Sequence, residues 1–79
     1  MEKAIEGVVQ YANVGMINGK KVKFIHVEGF EDPIILDSVF GEEIFETIEP
    51  GKHVIIQAYV EEDDLGEPNW FVDMLDFVV

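Results

Sequence analysis

Residues 3–13 read KAIEGVVQYAN, and whether they form one strand or two decides the fold. Ile5, Val9 and Tyr11 alternate with Glu6 and Gln10, the period of two that sends successive side chains to opposite faces of a strand. Gly7 falls where the alternation calls for an inward side chain, a place where a strand bulges or bends rather than ends. A strand bent in its middle can serve two sheets.

Reading onward, VGMINGKK at 14–21 contains Asn18-Gly19, a dipeptide that takes the positive φ angles of a tight reversal. The spacing therefore predicts a hairpin into a second strand, KVKFIHVE at 21–28, with Val22, Phe24 and His26 on one face and Lys23, Ile25 and Val27 on the other. Neither face is wholly polar, so both are expected to be partly covered. After the turn EGFEDP at 28–33, the β-branched PIILD at 33–37 reads as a third strand pairing with the second.

Next, SVFGEEIFETIEPG at 38–51 sets Val39, Phe40, Ile44, Phe45 and Ile48 at helical spacing among four glutamates. One helix of about two to three turns is expected, with Ser38 as its cap and Pro50-Gly51 as its stop. KHVIIQAYVEE at 52–62 is the clearest strand, with Val54, Ile56, Ala58 and Val60 facing one way and His53, Ile55, Gln57 and Tyr59 the other. It pairs with a last strand, NWFVDMLDFVV at 69–79, in which Asp73 and Asp76 have opposite parity, so one bulge is expected between them. The terminal DFVV reads as the end of an edge strand or as a strand open to another chain.

Three strands, a short helix and two strands, with a bent glycine-containing first strand, is the element order of a small five-stranded Greek-key barrel. It resembles the OB-fold, the oligonucleotide- and oligosaccharide-binding superfamily, through IEGVV at 5–9, NGKKVKFIHVEG at 18–29, FGEEIFETI at 40–48 and PGKHVIIQAYV at 50–60. The expected fold class is thus all-β, a single OB-like domain over residues 1–79 with one helix between strands 3 and 4. The resemblance implies a ligand face on the second and third strands, flanked by the connection between the first two strands and by that between the last two.

Charge sets the expected ligand class. The chain of 79 residues has five Lys, no Arg and seventeen Asp plus Glu, a net charge of −12. Residues 1–23 hold four lysines against two glutamates, or +2, whereas residues 24–79 hold Lys52 against fifteen acids, or −14. A field of that sign repels phosphate and favours encounter with basic protein surfaces. Much of it sits in EEDDLGEP at 61–68, a run of carboxylates tolerable only at a solvated hairpin tip.

Two functional expectations follow. The first is a non-enzymatic protein that engages a basic protein surface through Glu61, Glu62, Asp63, Asp64, Glu67 and Trp70, as an inhibitor or adaptor presenting nucleic-acid-like charge. Glu28, Glu31 and Asp32 on another connection extend the same charge. The alternative is a single-stranded nucleic-acid binder using Lys20, Lys21, Lys23 and Phe24, the one grouping of basic and aromatic residues. Trp70 and Phe71 are adjacent, so one faces inward and the other is free to anchor a partner.

No nucleophile-base set, glycine-rich phosphate loop or metal-ligand spacing is present, so neither catalysis, a cofactor nor a metal is expected. His26 and His53 read as structural, and the carboxylate run lacks the alternating order of a calcium loop. Without Cys there is no disulfide framework, and no apolar run approaches the roughly 20 residues of a membrane span, so a soluble cytoplasmic protein is expected.

Overall fold

A 16-residue first strand, β1 (Glu2–Ile17), organises the molecule by pairing on both sides. Its first half runs antiparallel to β4 (His53–Glu62), with Ile5 opposite Ile56, and its second half runs antiparallel to β2 (Lys20–Val27), with Ala12 opposite Ile25. The computed structural model describes residues 2–38 and 41–79. β3 (Ile34–Asp37), the helix α1 (Glu42–Thr47) and β5 (Pro68–Phe77) complete the chain, and the strands close in the order β1-β2-β3-β5-β4. All neighbours are antiparallel except β3 and β5, a short parallel seam that pairs only Ile34 with Trp70 and Ile35 with Phe71. This is the expected all-β, five-stranded barrel with one short helix between the third and fourth strands.

β1 serves two partner strands as expected, but its irregularity is not at Gly7. The bulge lies at Gln10, since Val9 pairs with Val27 and Tyr11 with His26, and the extra residue reverses the alternation. Tyr11 consequently faces solvent, 61% exposed, and Ala12 turns toward the core. Gly7 instead allows a close approach: a Cβ there would lie 2.9 Å from both the Glu28 carbonyl oxygen and Val27 Cγ1. Because one of those atoms is backbone, a larger residue would push the start of the β2–β3 connection outward.

The β1–β2 turn is the expected tight reversal, with Asn18 at φ 50° and Gly19 at φ 77°. In β5 the slip falls at Asp73 itself, since Val72 pairs with Ala58 and Met74 with Gln57. Val72 and Leu75 can then both point inward. The chain end stays attached, for the Val78 N–H donates to the His53 carbonyl at 2.8 Å.

Inside the barrel Val9, Ile25, Val27, Ile34, Leu36, Val54, Ile56 and Ala58 are almost wholly buried. α1 adds Phe45 and, just past its end, Ile48 to this core. The helix is shorter than its apolar spacing suggests. Gly41, not Ser38, holds the N-cap position at φ 149°, and Ile48 leaves the helix with an extended backbone. A residue so far into positive φ cannot continue a helix, so α1 begins only after Gly41. Val39 and Phe40, expected on the helix, lie outside the described residues. No helix among the described residues is long and apolar enough to cross a membrane.

Candidate functional site

Strand β3 has three consecutive buried residues, Ile34, Ile35 and Leu36, which alternation about a single core does not explain. Ile34 and Leu36 belong to the core, whereas Ile35 is opposite the outward Phe24 on one side and Phe71 on the other. Ile35 is nevertheless only 5% exposed, so the outer surface there is covered. The row continues to Tyr59, opposite Phe71, and their rings stack with centroids 5.6 Å apart at 23°.

This outer row forms the floor of a groove. One concavity of about 340 Å³ is lined by Ile17, Val22, Ile35, Tyr59 and Phe71, with Lys20, Asp37 and Glu61 around them. It shares Ile17, Asn18, Ile35, Glu61 and Phe71 with a second of about 400 Å³, whose remaining wall is Glu62, Asp63, Asp64 and Asn69. The groove thus runs from the β1–β2 hairpin to the acidic β4–β5 connection across an apolar floor. The Tyr59 hydroxyl is held above its ordinary pKa by burial first and then by the charges of Glu61, Asp73 and Asp37. A cation entering the groove therefore meets an anionic environment.

The acidic connection is folded, not merely solvated. Asp63 Oδ1 accepts the Leu65 and Glu67 N–H groups, each at 2.9 Å, and the Asp63 N–H donates to the Glu67 carbonyl at 2.9 Å. Gly66, at φ 79°, closes the turn by donating its N–H to the Asp63 carbonyl. These bonds favour the ionised carboxylate, so the Asp63 pKa lies below its ordinary value, the Glu67 backbone bond contributing most.

A depressed pKa in the folded state means that Asp63 adds stability above the ordinary carboxylate range and loses it as pH falls through the folded value. In an NMR titration, the Asp63 carboxyl is expected to protonate below the ordinary range of an aspartate carboxyl. Asp63→Ala should remove that titration and broaden the Leu65 and Glu67 amide signals. A normal Asp63 midpoint would show that the turn is not held this way.

Of the residues expected to bind protein, Glu61, Glu62, Asp63 and Asp64 line the groove. Glu67 does not: its backbone closes the turn. Trp70 is also elsewhere, packed against the core and edge-on to Phe30 with centroids 5.6 Å apart. Val72 points inward, so Trp70 two residues earlier does too, and Phe71 is the outward aromatic. Glu28, Glu31 and Asp32 lie outside the groove lining. Phe71 is thus the member of the pair free to anchor a partner, whereas Tyr59, Ile35 and Val22 were missed as site residues, although the aromatic on the polar face of the fourth strand beside Glu61 was a usable signal.

The expected nucleic-acid patch does not assemble on one surface. Lys20 lines the groove, but Lys21 and Lys23 turn to α1, their ammonium nitrogens 5.6 and 5.1 Å from the Phe45 ring centroid. Lys23 also donates to the Phe45 carbonyl and, at 3.2 Å, to the Ile48 carbonyl, satisfying acceptors at the helix end. Phe24 covers Gly15, where a Cβ would lie 2.5 Å from the ring. His53 Nε2 contacts Glu6 Oε2 at 3.1 Å across β1 and β4, and His26 meets the Tyr11 ring edge-on at 5.9 Å. Among the described residues no group of three His, Cys, Asp or Glu is placed to hold a metal.

No protein-family model matches the chain, and comparisons with curated proteins and with solved structures find no match.

Proposed function

We propose that the protein is a non-enzymatic binding module that engages a basic protein surface through the groove between the β1–β2 hairpin and the β4–β5 connection. One observation carries this reading: an apolar and aromatic floor of Ile35, Tyr59 and Phe71 is rimmed by Glu61, Glu62, Asp63 and Asp64, with Lys20 as the one cation among the described residues of its lining. Apolar contact supplies affinity and the carboxylates supply selection and encounter rate, the usual division in protein recognition. As an inhibitor or adaptor, the module presents this charge to a groove that would otherwise hold nucleic acid. Membership of the OB-fold superfamily, through the strand order alone, is part of the same proposal.

The reading favours protein over single-stranded nucleic acid because phosphate needs cations along its path, and Lys21 and Lys23 are engaged at α1. A variant with Glu61→Gln, Glu62→Gln and Asp64→Asn leaves the Asp63 turn intact. It is expected to bind a captured basic partner about tenfold more weakly, mainly through slower association, and with less salt dependence. Unchanged affinity would refute the role of the rim. Tight binding of a labelled oligonucleotide by the unaltered protein at low salt would favour the nucleic-acid alternative.

A further inference from the structure

The aromatic rings of this protein are not all equally supplied with charge. Among the described residues, Lys3 sits over Phe30, 5.2 Å from its centroid, and Lys21 and Lys23 sit over Phe45. The stacked Tyr59–Phe71 pair shares its groove with Glu61, Glu62, Asp63 and Asp64 as well as Lys20, yet none of these three ring-bound lysines is over it. We infer that the groove takes an extended segment of the partner carrying an arginine, whose guanidinium seats against the Tyr59–Phe71 pair beside the Glu61 carboxylate. The inference rests on the proposed function and names the anchor that the groove selects.

Shape, charge and hydration each bear on the choice. The concavity of about 340 Å³ is at the small end of ligand pockets and runs on into the space beside Asp63 and Asp64, which suits a chain passing through with one side chain lowered in. A purely apolar side chain would cover the floor and strip water from Glu61 without pairing it. An ammonium would pair the charge but is compact and strongly hydrated. A guanidinium is planar and weakly hydrated, stacks on aromatic faces and can offer two parallel N–H donors to a carboxylate. The charges of Glu61, Asp73 and Asp37, which add to burial in raising the Tyr59 pKa, also favour the cation.

The test is titration of the intact protein with three labelled, capped peptides that share a glycine-serine spacing and differ only in carrying arginine, lysine or citrulline. The arginine peptide is expected to bind about tenfold more tightly than the lysine peptide, and the citrulline peptide more weakly than either. Tyr59→Leu, which keeps apolar bulk, should bring the arginine and lysine peptides to equal affinity. Tyr59 and Phe71 ring signals should shift on adding the arginine peptide to the unaltered protein.

Equal binding of the arginine and lysine peptides, lost in the variant neutralised at Glu61, Glu62 and Asp64, would overturn the arginine anchor and leave the acidic-groove reading standing. An arginine preference that survives Tyr59→Leu would overturn the assignment to this pair. No binding of any peptide would overturn both.

Discussion

Ile56→Ala is expected to lower the stability of the barrel by about 2–5 kcal/mol, the range for emptying a closely packed aliphatic site. Ile56 is fully buried at the centre of a row running from Ile5 on β1 to Leu75 on β5, both of which point into the core. Truncating it removes contacts on two strand pairs at once. The backbone around it is tied on both sides, so the cavity has little freedom to collapse. A domain of this size has on the order of 4–12 kcal/mol in total, and the midpoint of thermal unfolding should drop by roughly 10–30 °C. Ile56→Val, removing one methyl group, is expected to cost only about 0.5–1.5 kcal/mol. Chemical denaturation of the three proteins measures this. Equal stability for the Ala and Val variants would show that the barrel interior is not packed around Ile56.

Lys23→Met is the second large effect, about 1.5–3 kcal/mol, because it keeps the aliphatic stem and removes the ammonium that donates to the Phe45 and Ile48 carbonyls. Those acceptors end a helix of six residues whose N-cap has no side-chain hydrogen bond, so α1 otherwise depends on the burial of Phe45 and Ile48. Loss should appear first as faster amide exchange from Glu42 to Ile48, with the barrel strands little affected. Lys20→Met, on the groove lining, should leave both stability and α1 exchange near the unaltered values. If the two variants behaved alike, the distinction between Lys23 at the helix and Lys20 in the groove would fall.

These contrasts bear on how a binding surface is read from lysines close together in sequence. Lys20, Lys21 and Lys23 sit on one hairpin, yet the pleat and the course of β2 commit two of them to α1, on a part of the chain more than twenty residues away. Spacing along a strand shows which residues share a face but not what lies against that face. The same limit applied to Trp70 and Phe71. Adjacent positions guaranteed that one would face out, but the assignment followed only from the bulge at Asp73 and the inward Val72.

Local chemistry in the chain was sufficient for the strands, the Asn18-Gly19 reversal and the single helix. Alternation, turn propensity and apolar spacing act over a few residues, and their order was enough for a closed five-stranded barrel. Net charge, too, is a property of composition. What only the tertiary structure decided was where the side faces meet. The Gln10 bulge turned Tyr11 outward, Gly41 shortened α1, and barrel closure brought Ile35, Phe71 and Tyr59 into one row beneath the carboxylates of the last connection. Such contacts join residues tens of positions apart, and their energies depend on which surfaces exclude water together, a condition no local pattern contains.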